Sequence, residues 1–220
     1  MRIGLISYYP PCPGTEADGW LNPTSLSQYA MALAQQGYQV QWVSSTDTVD
    51  VYAADLPLVT DQADSIPETC RYVVPCRPYR LQAVRLFCID RVVWQERPLH
   101  TRLFTFLCLL QRVLPCEVVH AWGAFPAAYL AVYTARFMGL PAVVSYDAQS
   151  LRHGPQRSFE WQWVAQHVSR GLVASDADRE RLITTSNIAP TRVQVVPPGI
   201  AEMSTALVAL YESLQDPAVM

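Results

Sequence analysis

The chain has 220 residues, of which 50% are apolar and 16% are charged, and its formal net charge is −3 at pH 7. This length suits one domain with a single hydrophobic core and a short tail, because a domain typically takes about 100–200 residues. The weak net charge argues against nucleic-acid binding. All sixteen basic residues are arginines, so Schiff-base chemistry, a P-loop lysine and a lysine general base are excluded.

No targeting or membrane signal is visible in the sequence. The apolar run at residues 3–6 is too short for a signal peptide, and no stretch approaches the about 18 apolar residues that a membrane span needs. We therefore expect a cytoplasmic protein. The six cysteines lack C-x-x-C spacing, so we expect small buried residues rather than a metal site or disulfides, and we expect no cofactor.

The first elements are predicted as strand, helix and strand. Residues 2–7 form an apolar strand, which a loop rich in proline and glycine follows. A helix is predicted to begin near Asn22-Pro23 and to end at Gly37, since its apolar residues share one helical face. The second strand is predicted at 38–44, and residues 45–69 are predicted as a long surface excursion.

The next segment mixes arginines with large apolar residues. We predict a short strand at 71–74 and two helical stretches within 80–113, broken near Pro98. Arginines beside aromatic residues could place the helices of 80–112 on an anionic membrane, at the inner face of which the protein would be peripheral. Two core helices with solvated arginines are the alternative, and a protein partner is a further candidate.

From residue 116 onward, strands and helices alternate. The pattern predicts a doubly wound, Rossmann-like α/β domain with a parallel sheet and helices on both faces. Ligands of such sheets bind at the carboxyl ends of the strands, which gives the loops at 8–22, 121–125 and 146–157. The predicted strands are 117–121, 142–146, 171–174 and 193–196, and the predicted helices are 124–138, 159–169 and 176–185.

Four motifs stand in one order along the chain. They are Met1-Arg2-Ile3-Gly4-Leu5-Ile6-Ser7 with Gly37-Tyr38-Gln39-Val40, then Glu117-Val118-Val119-His120-Ala121, then Arg157-x-x-Glu160 before Gly171-Leu172-Val173-Ala174-Ser175, and last Arg192 to Ile200 with its Val-Pro-Pro-Gly. Together they resemble the N-terminal domain of the retaining GT-B glycosyltransferases that include sucrose-phosphate synthases and the mycothiol-pathway glycosyltransferases. The resemblance covers residues 1–202.

The resemblance implies one half of a GT-B enzyme. In that family the first Rossmann-like domain binds the acceptor and the second binds the nucleotide sugar, and Val-Pro-Pro-Gly marks the hinge between them. Here an amphipathic segment at 203–216, with a predicted Ser204 cap, follows the hinge and precedes a tail at 217–220. It resembles the closing helix of GT-B chains, which packs on the first domain, although any short amphipathic helix is an equal alternative. We therefore expect the donor domain to be missing.

Candidate ligand-binding residues follow from the strand ends and from the resemblance. Glycines ahead of a helix N-terminus can receive an anion, tryptophan can stack on a sugar, and phenol and carboxylate groups can bind hydroxyls. Each group also has a structural alternative. The glycines could belong to an ordinary loop, the aromatic rings could pack in the core, the aspartate could make a turn, and the arginine and glutamate could form a solvated ion pair. The candidates are Gly14, Gly19, Trp122, Tyr146, Asp147, Arg157 and Glu160.

Two histidines typical of the resembling family are absent. Trp122 occupies one of these positions, and Ser145-Tyr146-Asp147 stands at the other. We expect His120, which lies within a strand pattern, to be a core histidine, and we assign no catalytic residue and no metal ligand.

Three functions remain open at this stage. The first is a non-catalytic binding or scaffold module derived from a glycosyltransferase, with a sugar or glycan acceptor as a possible ligand. The second is the acceptor subunit of a split two-chain glycosyltransferase, which predicts a donor-domain partner and an apolar rim around the cleft. A flavodoxin-like small-molecule binder ranks last, because no G-x-G-x-x-G or phosphate-loop signature is present. In each case we expect no glycosyl transfer by the chain alone.

Overall fold

The computed structural model describes residues 1–8, 23–45, 58–60, 68–95, 101–123, 125–148, 151, 158–196 and 199–215. Its strands are β1 (Arg2–Ser7), β2 (Gln39–Ser45), β3 (Leu58–Thr60), β4 (Cys76–Leu81), β5 (Val84–Ile89), β6 (Val118–Trp122), β7 (Ala142–Ser145), β8 (Arg170–Val173) and β9 (Val193–Val195). Its helices are α1 (Pro23–Gln35), α2 (Glu68–Val73), α3 (Arg91–Gln95), α4 (Thr101–Val113), α5 (Ala127–Met138), α6 (Phe159–His167), α7 (Asp176–Ser186) and α8 (Ile200–Ser213).

The described strands form one sheet in the order β3-β4-β5-β2-β1-β6-β7-β8-β9. From β5 to β9 every neighbouring pair is parallel, whereas β4 runs antiparallel to both of its neighbours. Strands β2 to β5 lie on one side of β1, and strands β6 to β9 lie on the other side. The predicted doubly wound α/β fold is therefore confirmed, with an added antiparallel edge.

Two hydrophobic cores lie on opposite faces of this sheet. Leu5 of β1 and Trp42 of β2 point to the face that α1 and α8 cover. Ile6 and Val43, the next residues along the same strands, point to the face that α2 to α7 cover. Because successive side chains of a strand alternate between faces, strands buried on both sides are apolar almost throughout. The predicted helices on both faces are confirmed.

Helix α8 packs back onto the domain directly after β9. Its buried side chains follow one helical stripe and meet α1: they are Met203, Leu207, Leu210, Tyr211 and Leu214. The predicted Ser204 cap is wrong, since the helix begins at Ile200 after Gly199, which makes no side-chain capping bond. Ser204 lies inside the helix, where its Oγ accepts a hydrogen bond of 2.7 Å from Nε2 of Gln36. Correspondence to the closing helix of GT-B chains stays a prediction.

The predicted strand at 71–74 is wrong, because α2 (Glu68–Val73) is helical there. The β-branched pair Val73-Val74 favoured a strand locally. Cys70 and Val74 lie one helical turn apart and are both buried against the core that contains α4. The tertiary contact with α4 therefore decides this segment against its local preference.

The predicted helical stretch from residue 80 is also wrong at its start, where β4 and β5 form a hairpin. In β5, alternate residues Val84, Leu86 and Cys88 reach the α1/α8 face, so the strand is buried on both sides and lacks a visible period of two. The turn uses Gln82 at a φ of 52° instead of the glycine or asparagine that usually marks it. Only the later part of the segment, in α3 and α4, is helical.

The second half of the chain closely follows the prediction. Strands β6 to β9 and helices α5 to α7 lie within a few residues of their predicted bounds, and Gly139 ends α5 with a left-handed φ of 69°. At the start of α7, Ser175 Oγ accepts a hydrogen bond from the backbone N–H of Asp178 and donates to its carboxylate. Ser175 is therefore the N-cap of α7. Of the predicted 45–69 excursion, the structure describes Ser45, which ends β2, the strand β3 and the first residues of α2.

Replacing Leu207 by alanine tests the packing of α8. Leu207 has no exposed surface, so Leu207→Ala should lower the free energy of unfolding by about 2–5 kcal/mol, measured by urea denaturation. Ala209→Ser, on the exposed side of the same helix, should change it by less than about 0.5 kcal/mol. Equal effects of the two substitutions would contradict the packing.

Candidate functional site

The carboxyl ends of four neighbouring strands meet at one edge of the sheet. In the register, Ser7 at the end of β1 pairs with Trp122 at the end of β6, and Trp122 pairs with Ser145 at the end of β7. Ser44 of β2 lies on the other side of β1. This edge is where ligands of doubly wound sheets bind, and its polar side chains on the α1/α8 face form a row.

One part of this row links β1 and β2. Ser7 Oγ lies 2.9 Å from Ser44 Oγ, and Nε1 of Trp42 donates to Ser7 Oγ at 2.8 Å. All three residues are buried. These bonds satisfy buried polar atoms and hold the strand ends together, because an unpaired buried polar atom would be costly.

The other part of the row centres on His120. Its Nε2 lies 2.8 Å from Ser145 Oγ, its Nδ1 lies 2.5 Å from Tyr211 Oη, and Tyr211 Oη lies 2.7 Å from Tyr29 Oη. A continuous chain of hydrogen bonds thus joins β7, β6, α8 and α1, and all four residues are buried. We call Ser145, His120, Tyr211 and Tyr29 the histidine–tyrosine chain.

His120 is neutral in this environment. Burial lowers the pKa of its imidazole from the ordinary 6.5 to about 3, since the charged form would lose its hydration. A neutral imidazole donates through one nitrogen and accepts through the other. The chain is satisfied when all its bonds run from Tyr29 toward Ser145, or when all run the opposite way. The prediction of a core histidine is confirmed.

Trp122 lies under α1 rather than on an open surface. It has no exposed surface, and its ring stacks on Tyr29 at a centroid distance of 5.2 Å and an interplanar angle of 25°. His120 lies at 5.4 Å from the same ring. A ligand can reach the indole only if α1 moves, and the proposed sugar contact through Trp122 stays a prediction.

Tyr146 points to the opposite face of the sheet from Ser145. It is buried against Trp161 at a ring distance of 5.5 Å, and burial raises the pKa of its phenol above the ordinary value. A β-carbon at Gly171 would lie 3.2 Å from its ring, so glycine gives the ring its room. Tyr146 Oη and Trp161 Nε1 have no hydrogen-bond partner within the described part of the chain.

The two described carboxylate candidates are half-buried and lie near this edge. Asp147 directly follows Tyr146, and its carbonyl accepts from the backbone N–H of Leu151. Glu160 lies in the first turn of α6, which Ser158 caps by accepting from Trp161 N at 3.2 Å. A carboxylate there is favoured by the helix dipole, with or without a ligand. Gly14, Gly19 and Arg157 lie outside the described residues.

The sequence alone does not identify Tyr29, Tyr211 and Ser145 as hydrogen-bonding partners in the histidine–tyrosine chain. The rings of Tyr29 and Tyr211 lie on the apolar stripes of the two predicted helices, and the pattern around Ser145 gives no sign of its partner. A tyrosine in a buried stripe needs a partner for its hydroxyl, and so does a histidine inside a strand. That shared need was the available signal. Among the described residues, no group of three or more histidine, cysteine, aspartate or glutamate side chains could hold a metal ion.

Residues 24–202 match the family model described as Glycosyltransferase Family 4. The chain belongs to this family. No curated protein sequence matches it. The resemblance to a GT-B N-terminal domain is thereby confirmed at the level of the family and the fold.

Solved structures show the fold of this family 4 chain. Anabaena HepE in complex with UDP is 13% identical with a TM-score of 0.53, over 90% of this chain and 44% of that one. The UDP-GlcNAc 2-epimerase of Methanocaldococcus jannaschii is 13% identical with a TM-score of 0.51, over 97% and 53%. The epimerase of Rickettsia bellii is 9% identical with a TM-score of 0.53, over 98% and 49%. The chain thus spans about half the length of each, and identities this low support the fold alone.

Removing one hydroxyl should expose the energetic role of the histidine–tyrosine chain. Tyr211→Phe leaves Tyr29 Oη and His120 Nδ1 facing a ring edge, so it should lower the free energy of unfolding by about 1–3 kcal/mol. The control Tyr38→Phe removes a hydroxyl that makes an exposed 3.3 Å bond to Glu212 and should cost less than about 0.5 kcal/mol. Urea titrations of both variants measure the difference, and equal costs would contradict the role.

The neutral state of His120 predicts a pH dependence of stability. In the unfolded chain the imidazole binds a proton below its ordinary pKa of 6.5, whereas in the folded chain it does so only below about 3. The wild type should therefore lose stability as the pH falls from 6.5 toward 3, by about 1 kcal/mol per pH unit. His120→Gln should lack this contribution, so its free energy of unfolding should fall less between pH 6.5 and pH 5. Parallel curves of the free energy of unfolding against pH for the two proteins would disprove the contribution of His120.

Proposed function

We propose that this chain is a non-catalytic binding module derived from a glycosyltransferase of the sucrose-phosphate synthase and mycothiol glycosyltransferase-like group. In this proposal it takes a saccharide or a saccharide-bearing acceptor at the carboxyl edge of the sheet. It has no nucleotide-sugar site of its own and transfers no sugar as an isolated chain. Family membership and the N-terminal-like half of the GT-B fold support the starting point.

The observation that carries the proposal is the path of the backbone after β9. In the resembling family the segment after Val-Pro-Pro-Gly enters the donor domain. Here α8 returns to the same sheet, where Tyr211 completes a hydrogen-bond chain with His120 and Tyr29. Among the described residues, the α1/α8 face is covered by side chains of this domain.

The side chains at the two altered positions support a silent site. Trp122 replaces a histidine of the resembling family and is buried with only a donor to offer. Ser145-Tyr146-Asp147 stands at the other altered position, and its first two residues are also buried. Asp147 and Glu160 are half-buried carboxylates near this edge. Carboxylates there suit hydroxyl recognition, because they accept hydrogen bonds from sugar hydroxyls.

A second candidate function is the acceptor subunit of a split glycosyltransferase. Its specific support is apolar surface near the same edge: Phe125 follows β6 with 40% of its surface exposed, and Phe159 opens α6 with 70% exposed. Rings in these places could contact a donor-domain chain across a cleft. In that case transfer would require both chains.

Incubation of the purified chain with nucleotide sugars separates the proposals. We expect neither transfer nor hydrolysis of UDP-sugars by the chain alone, measured by release of UDP, and turnover would overturn the non-catalytic assignment. A tagged chain isolated from its native cells then tests the alternative. A stoichiometric donor-domain chain that restores UDP release would establish the split enzyme, whereas no such chain would leave the binding module.

Ligand-observed NMR with a panel of monosaccharides and disaccharides tests the edge itself. Loss of a charged hydrogen-bond acceptor should cost about 2 kcal/mol of binding free energy, a factor of about thirty in affinity. We therefore expect saturation-transfer signals to vanish for Asp147→Asn and for Glu160→Gln. Glu180→Gln, at an exposed position of α7, is the matched control. No binding by the wild type, or equal binding by all variants, would refute saccharide recognition here.

A further inference from the structure

A small cavity lies between the sheet and the inner sides of α4 and α5. Its volume is about 30 Å³, which is room for about two water-sized groups. Helix α4 covers it, and neither α4 nor any other described helix is long and apolar enough to cross a membrane. Most of the lining is apolar: it includes Ile6, Val43, Leu107, Leu110, Val119 and Leu140.

The cavity lies toward the amino ends of the strands, away from the candidate ligand edge. Gly4 forms part of its floor between Gln41 of β2 and Val119 of β6. A β-carbon at Gly4 would lie 3.0 Å from Sγ of Cys116, so the missing side chain leaves a gap in this row. The thiol itself is engaged, since it donates to Oε1 of Gln111 at 2.9 Å.

Thr134 of α5 places a buried hydroxyl at this cavity. The residue lines the cavity and is 4% exposed, and its Oγ1 has no hydrogen-bond partner within the described part of the chain. A helical threonine usually donates to the carbonyl four residues earlier, as Thr185 Oγ1 does to Arg181 at 2.8 Å. Because an unpartnered buried hydroxyl is costly, a polar atom within the cavity would stabilise Thr134.

The lining on the β2 side continues into positive charge. Gln41 lines the cavity and is 7% exposed, and its neighbour in the register is Arg85 of β5. Arg85 shares this sheet face, because the next residue, Leu86, belongs to the core on the α1/α8 face. It is half-buried and makes no ion pair with the described residues. Arg80 of β4 lies directly opposite it, and like charges in such a pair destabilise a sheet.

The acidic residue at the start of β6 does not offset this charge. Glu117 directly precedes β6, and its carboxylate accepts a hydrogen bond of 2.6 Å from the backbone N–H of Arg2. The guanidinium of Arg2 lies 4.0 Å from the same oxygen. Glu117 is thus engaged on the β1 side, whereas Arg85 lies beyond β1 and β2 in the sheet. An anion beside Arg85 would relieve the repulsion between the two opposed arginines.

We propose that this cavity binds a short-chain hydroxy acid, a carboxylate that carries a hydroxyl on a nearby carbon. Its carboxylate lies at Arg85 and Gln41, since guanidinium and carboxylate form strong paired hydrogen bonds. Its hydroxyl reaches Thr134 Oγ1, and the apolar lining contacts its carbon atoms. The volume limits the enclosed part to about two or three heavy atoms. A neutral alcohol would leave Arg85 without an anion. This site is independent of the saccharide proposed at the carboxyl edge.

NMR titration of the purified full chain with lactate and with propionate tests the proposal. Lactate has the carboxylate and the hydroxyl, whereas propionate has the same carbon chain without the hydroxyl. We expect lactate to bind about fivefold more tightly than propionate, because one additional hydrogen bond is made in the cavity. No binding of lactate at millimolar concentrations, or equal affinity for the two acids, would overturn the proposal.

A variant of Thr134 assigns the hydroxyl contact. Thr134→Val keeps the shape of the side chain and removes its hydroxyl, so it should weaken lactate binding about fivefold and leave propionate binding unchanged. Thr185→Val, which removes an exposed hydroxyl of α7, is the matched control and should change neither. Equal losses for both acids in Thr134→Val, or no loss for lactate, would contradict the assigned contact.

Two further variants assign the carboxylate and the enclosed space. Arg85→Gln should weaken both acids at least tenfold, as expected for a bond to a charged group, whereas Arg77→Gln at an exposed position of β4 should not. Val119→Ile adds one methyl group to the cavity lining and should abolish binding of both acids. Circular dichroism checks that each variant is folded. Folded Arg85→Gln or Val119→Ile with unchanged binding, or equal losses in Arg77→Gln, would overturn the site.

Discussion

A buried chain of neutral hydrogen-bonding groups holds the α1/α8 half of this domain together. Ser145, His120, Tyr211 and Tyr29 come from two strands and two helices. Each group needs a partner, because nothing else compensates a polar atom placed in an apolar core. The positions of α1 and α8 on the sheet are therefore specified by directional bonds as well as by apolar packing. Mutual dependence of this kind favours one arrangement of the helices over sliding alternatives.

The same hydrogen-bond chain gives His120 a structural role at the edge of the sheet. In a catalytic site a histidine titrates near neutral pH and is accessible to its substrate. Here the imidazole is enclosed by Tyr29, Trp122 and Tyr211, and its lone pair and its proton are both used within the fold. In this family 4 domain, the imidazole of His120 is therefore part of a buried structural network.

The sequence predicted most where local pattern and tertiary environment agree. Alternating strands and helices after residue 116, the end of α5 at Gly139 and the cap at Ser175 all follow from short-range rules. It predicted least where a strand is buried on both faces. Residues 84–89 contain arginine among large apolar side chains and lack a visible alternation, so only their pairing with β2 and β4 reveals a strand. Of the candidate site, the location followed from topology, whereas the burial of Trp122 depends on α1 and could not be read from its neighbours in sequence.

The hydrogen bond between Tyr29 and Tyr211 spans 182 residues of sequence. During synthesis, α1 emerges before its partner helix α8, because Tyr211 follows Tyr29 by 182 residues. Until then the surface that α8 later covers is open, and so is the buried polar row beneath it. Closing such a distant contact is slow compared with forming local ones. The nascent domain thus passes through a stage in which α1 is incompletely anchored.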